Sequence, residues 1–79
     1  MEAVIGTIVR SAAGRDKGNF LVITAVEGDF VFVADGKERK LGKPKKKRLK
    51  HLKLTNTVID TGNLTDKELR KIVSEFPKP

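Results

Sequence analysis

Ten of the seventeen lysines and arginines in this 79-residue chain lie between Lys37 and Lys53, a stretch with one acid, Glu38. Residues 1 to 36 carry a net charge of −2, residues 37 to 53 carry +9 and residues 54 to 79 are neutral. The chemistry open to Lys37, Arg39, Lys40, Lys43, Lys45, Lys46, Lys47, Arg48, Lys50 and Lys53 is neutralisation of a polyanion, with nucleic acid the first candidate and an anionic membrane surface the second. Lysine outnumbers arginine eight to two in this strip. That balance favours diffuse contact with phosphates over bidentate reading of base edges. Gly42 and Pro44 interrupt the run, which disfavours a continuous basic helix lying on a membrane. The competing reading of the strip is a solvated loop or a targeting signal.

A second group precedes it: Arg10, Ser11, Gly14, Arg15, Lys17, Gly18 and Asn19 surround a glycine-bearing loop. Glycines let the backbone turn sharply and come close to phosphates, and Arg15 and Lys17 can reach them. An ordinary hairpin loop with solvated charges is the plainer alternative. Asp16 is expected to order this loop by accepting from backbone N–H groups, and Asp35 to start a turn. His51 is the only histidine. One imidazole makes neither a metal site nor a triad, so an RNA-facing or structural role is expected. There is no cysteine, no phosphate-binding glycine motif and no paired acid and base, so the reading is non-enzymatic, with no cofactor and no metal.

A chain of this length holds one compact domain. The absence of cysteine suits a reducing, cytoplasmic setting. The longest largely apolar run, Phe20 to Val26, is too short to span a bilayer, and Glu2 ahead of any basic residue argues against a signal peptide.

The elements that must position these groups are mostly strands. Ala3 to Val9 is β-branched and predicts a first strand, with Val4 and Ile8 competing against Ile5 and Val9 for the inward face. Ser11 to Gly18 reads as a turn, and Phe20 to Val26 as a central strand apolar on both faces. Glu27-Gly28-Asp29 joins it to Phe30 to Val33 as a hairpin, with Gly28 free to take positive φ. A short strand is predicted over Lys37 to Leu41, and a last one over Leu49 to Leu54, which carries leucines 49, 52 and 54, tucks some of them under the sheet and leaves its lysines in solvent. After a linker around Asp60 to Asn63, Thr65 and Glu68 have capping-box spacing. Leu69, Ile72, Val73 and Phe76 follow as one apolar helical stripe ended by Pro77. The expected fold class is mainly β: a small SH3-like or OB-like barrel of about five strands over residues 1 to 56, then a linker and a C-terminal helix packed on it over 57 to 79. Phe30 and Phe32 are at i, i+2. Core packing is favoured for them, because a small domain needs its rings inside, and a base-stacking platform stays open as the alternative. The preferred target is then structured RNA recognised by shape and backbone.

The run Gly6-Thr-Ile-Val-Arg-Ser-Ala-Ala-Gly14-Arg15-Asp16-Lys17-Gly18 resembles the KOW motif. In that motif a strand opens with glycine, and a second glycine eight residues later precedes a basic-acidic-basic-glycine turn. The whole chain is similar to the archaeal and eukaryotic large-subunit ribosomal protein family fourteen-e, related to the six-e and twenty-seven-e families. The similarity continues through Asp29 to Gly36, the basic strip, His51 to Asn56 and the capped helix, in the same order. Leu54 stands where the family leads one to expect proline, and the strip from Lys43 to Arg48 is richer in lysine than usual. The resemblance implies a KOW-type barrel that binds rRNA through the loop and its flanking strands, on or near the large ribosomal subunit; a monomer is expected when free, with dimerisation left open by the sequence. A second implied reading is a KOW-type protein-interaction module that touches ribosomal proteins or a transcription or translation factor.

Overall fold

The computed structural model describes residues 3–76. In chain order the elements are β1 (Thr7–Ser11), β2 (Phe20–Glu27), β3 (Phe30–Ala34), β4 (Lys45–Arg48), a single 3-10 turn (Leu49–His51), β5 (Leu52–Val58) and α1 (Asp66–Ser74). The strands form one antiparallel sheet in the order β4-β3-β2-β1-β5. Its two edge strands, β4 and β5, are joined by the three-residue turn Leu49–His51 alone, which bends the sheet round, and two backbone bonds flank that turn: Leu49 N–H donates to the Asp29 carbonyl and Ala12 N–H to the His51 carbonyl, each at 2.9 Å. The protein is thus mainly β, a small SH3-like barrel of five strands with one C-terminal helix. No helix among the described residues is long and apolar enough to cross a membrane.

Side chains alternate across a strand, and here both faces of the central strands are covered. Val9, Leu21, Ile23, Val31, Val33 and Leu52 fill the barrel interior, joined by Leu49 and Leu54. Ile8, Val22 and Ala34 face the other way and meet Leu69 of α1, with Phe20, Leu41, Leu64, Ile72, Val73 and Phe76 around them. The Phe20 and Phe76 rings pack at 5.4 Å between centroids. Competition between the two faces of β1 therefore has no single winner, since Ile8 and Val9 are both fully buried in different clusters. Of the leucines at 49, 52 and 54, Leu52 is buried in the interior and the other two pack against it half-buried.

The helix begins as its spacing predicts. Thr65 Oγ1 accepts from the Glu68 N–H, and Glu68 Oε1 accepts from the Thr65 N–H, both at 3.2 Å. The helix ends at Ser74, with Glu75 as its cap; the terminating role assigned to Pro77 lies outside the described residues. The loop between β3 and β4 is clamped to the first turn of α1. Leu41 N–H donates to Asp66 Oδ1 at 2.7 Å, and a Cβ at Gly36 would collide with the Asp66 carbonyl and the Arg70 amide.

Three boundaries differ from expectation. The first strand starts at Thr7 rather than Ala3. Gly6 turns the chain there at φ +97°, leaving Val4 and Ile5 on the surface. Lys37 to Leu41 forms no strand, because Asp35 Oδ1 captures the N–H groups of Lys37 and Arg39 at 2.8 and 2.9 Å and folds the segment into a local turn. The last strand begins after the 3-10 turn and runs to Val58.

Leu69 is the one fully buried residue of a nine-residue helix too short to persist alone. Leu69→Ala is expected to cost about 2 to 5 kcal/mol in chemical denaturation and to strip α1 amides of hydrogen-exchange protection. A helix that kept its protection in this variant would show that docking through Leu69 does not hold it.

Candidate nucleic-acid interface

The basic strip does not fold into one surface, because the strand period sends neighbouring residues to opposite faces. Within β4, Lys46 and Arg48 are exposed, Lys45 is half-buried and Lys47 is buried. Lys37, Arg39, Lys40 and Lys43 are exposed on the β3–β4 loop, Lys50 and His51 on the 3-10 turn and Lys53 on β5. Arg10, Gly14, Arg15, Lys17 and Asn19 are also exposed, and Gly18 is half-buried.

Two of the expected contact residues are corrected by the structure: Lys47 and Ser11 are 8% and 1% exposed and have no surface to offer a phosphate. The Lys47 ammonium crosses the barrel end and donates to Asp16 Oδ1 at 2.8 Å, Ser11 Oγ at 2.7 Å and the Ala13 carbonyl at 3.1 Å. All three donors are therefore matched. The Ser11 hydroxyl lies 2.9 Å from both Asp16 Oδ1 and the Ala13 carbonyl. Asp16 does order the glycine loop, and its main partners are this ammonium and this hydroxyl, with the expected backbone bond reduced to a lesser one from its own N–H. Burial pushes the Asp16 carboxyl up, but the Lys47 and Ser11 hydrogen bonds and the Lys47 charge outweigh it and hold the group below its ordinary value.

Over this pin the loop closes on itself. Ser11 N–H donates to the Asn19 carbonyl at 2.9 Å, Gly18 N–H to the Ser11 carbonyl at 2.7 Å and Asn19 N–H to the Asp16 carbonyl at 2.9 Å. Gly14 and Gly18 make the reversals at φ +85° and +90°, where a side chain would be strained. The ordered loop presents Arg15 and Lys17 outward.

Tertiary structure brings the loop to the strip in two places. On one side Arg10 of β1 is the direct cross-strand partner of Lys53 of β5. The Arg10 guanidinium also lies against Gly18, 3.9 Å from where a Cβ would be, while Ala12 is bonded to His51. On the other side an open groove of about 460 Å³ separates the loop from the β3–β4 turn, lined by Arg15, Asn19, Arg39 and Lys45 together with Asp16, Asp35 and Glu38. Its mixed charge makes it a weaker anion site than the Arg10–Lys53 side. Only two ion pairs occur among the described residues, Lys47–Asp16 and the exposed Lys46–Glu27.

The placement of Phe30 and Phe32 also departs from the sequence reading: both are half-buried and belong to neither core cluster. They stand on the outer face of β3 because Val31 and Val33, with the opposite phase, occupy the interior. Nothing in the local sequence distinguishes the two phases, since all four residues are apolar.

The fold and this surface define a small SH3-like barrel that carries an ordered, positively charged loop. No family model matches the chain, and no curated protein matches it.

Lys47→Met is expected to lower stability by about 1 to 3 kcal/mol, because it leaves part-buried oxygens without their donor. Amides of the 14–19 loop should exchange faster in that variant. Lys46→Met, one residue along on the outer face, should stay within about 0.5 kcal/mol of the parent. Equal losses in the two variants would show that Lys47 is no special anchor. Asp16 binds its proton less readily folded than unfolded, so its contribution is complete above the ordinary aspartate value. That contribution is lost as pH falls through the lowered folded value. Protection of the loop amides, relative to the intrinsic exchange rate at each pH, should fall over that acidic window in the parent protein and not in Asp16→Asn.

Proposed function

We propose that this protein is a non-enzymatic RNA-binding module of the KOW type, a cytoplasmic protein that attaches to structured rRNA on or near the large ribosomal subunit. The observation that carries the reading is the cross-strand pairing of Arg10 with Lys53 beside the glycine loop. Like charges directly opposite one another destabilise a sheet, and a bound phosphate turns that repulsion into attraction. The KOW-like spacing of Gly6, Gly14 and Gly18 supports it, as do their positive φ values of 97°, 85° and 90°. Arg15, Lys17 and Lys50 add charges that, like those of Arg10 and Lys53, no carboxylate pairs among the described residues.

These contacts position the protein on the backbone and carry little base information. The second reading, a protein-interaction module, draws on Val4, Ile5 and Val58, which are 43%, 54% and 58% exposed. Thr7 pairs with Val58, so these residues gather where β1 begins and β5 ends.

If about five basic side chains meet phosphates, log K against log salt should fall with a slope of roughly −3.5 to −4.5. Affinity for a folded rRNA fragment would then drop by about two to three orders of magnitude between about 50 and 200 mM salt. Arg10→Gln with Lys53→Gln should make the slope shallower by up to about two units. Lys67→Gln with Lys71→Gln, removing the same charge from α1, should change it less. Equal weakening by both pairs would attribute the affinity to net charge and sink the assigned surface; absence of RNA binding at low salt would hand the protein to the second reading.

A further inference from the structure

The outer face of the β3–β4 pair holds two aromatic rings and two cations in register. Phe30 is the cross-strand partner of Arg48, and Phe32 of Lys46. The Lys46 ammonium lies 4.7 Å from the centre of the Phe30 ring and 6.0 Å from that of Phe32, and the Arg48 guanidinium carbon lies 5.3 Å from Phe30. A chain with only four aromatic residues thus places half of them outside both cores. Core packing does not account for these two rings. β4 is moreover an edge strand, so a ligand can approach along its length.

From this arrangement we infer that Phe30, Phe32, Lys46 and Arg48 form a binding site for an unpaired RNA segment, with adjacent bases on the two rings and their phosphates on the two cations. The inference rests on the RNA-binding reading and adds to it a single-stranded contact on a different face of the barrel. Residues two apart on a strand are separated by about 6.4 to 6.8 Å, a gap that neighbouring bases of a stretched strand can match. Every base offers a π-face to an aromatic side chain, so such a site tolerates many sequences. The cations that now cover the rings are held only weakly. Lys46 is tethered by Glu27 at 3.4 Å, with the two side chains 46% and 67% exposed, and an exposed pair of this kind is screened by solvent. An arriving base displaces the ammonium from the ring, and the freed charge turns to the adjacent phosphate. Along its length a duplex offers the site phosphates but no free base face, so away from the duplex ends stacking discriminates between the two forms. Charge complementarity favours RNA over an apolar peptide, because the rings are bordered by cations on β4.

The test uses the full chain with a short oligoadenylate and, separately, a long RNA duplex whose terminal base faces are few relative to its length. Ring-proton resonances of Phe30 and Phe32 should move upfield on saturation with oligoadenylate and stay in place with duplex. Phe30→Leu with Phe32→Leu should weaken oligoadenylate binding at least about fivefold and leave duplex binding unchanged. The amide spectrum of the variant reports whether the barrel is intact, and the ring shifts of the parent protein decide the matter if it is not. Unmoved rings at saturation, or equal losses on both RNAs in a folded variant, overturn the site while RNA binding through the glycine loop stands. Failure of the protein to bind either RNA overturns both.

Discussion

Consecutive residues of the central strands are buried in two different places, and the rest of the molecule depends on that double burial. Ile8 and Val22 lie under α1 while Val9 and Leu21 lie inside the barrel, across the same pair of hydrogen-bonded strands. A five-stranded sheet this small encloses little apolar volume by itself. Covering its second face with Leu69, Ile72, Val73 and Phe76 supplies what the interior lacks. The helix in turn holds the β3–β4 loop through Asp66 and Gly36, which sets where β4 enters the sheet.

Once β4 is placed, the basic segment is divided by the pleat. The same alternation that aims Lys46 and Arg48 outward drives Lys47 inward, to a position that only a neutralising partner can make tolerable. Asp16 is that partner, and through it the strand and the glycine loop become one unit. The loop is therefore ordered by the interior end of the very segment whose exterior is positively charged. Rigidity of this kind matters for backbone recognition, since loop atoms already in place lose less freedom on meeting a phosphate.

On the proposed RNA-binding reading, the two faces of this arrangement suit different parts of a folded RNA. Arg10, Lys53 and the loop offer charge without aromatic rings, matching a phosphate backbone. The β3–β4 face offers charge with rings, matching nucleotides that have left a helix. A folded RNA with a bulge or an internal loop presents both kinds of feature close together.

Much of this fold was legible in the residues because it rests on local rules. The hairpin at Gly28, the box made by Thr65 and Glu68, the stripe from Leu69 to Phe76 and the inward leucines 49, 52 and 54 each follow from spacing within a few positions. The failures share a cause. Lys37 to Leu41 lost its strand to the Asp35 side chain, which competes with sheet pairing for the same N–H groups. The need for rings in a small core favours Phe30 and Phe32 inside, yet the strand's phase turns them out, and period-2 patterning cannot tell the faces of an all-apolar strand apart. In the same way, a run of lysines carries no mark of which one is buried. That Lys47 is the one was decided by Asp16, thirty-one positions away in the chain and 2.8 Å away in space. Composition and local periodicity determined that this protein would be a basic β-barrel with a docked helix; only tertiary structure decided which charges and rings reach solvent, because that choice depends on partners supplied by distant strands.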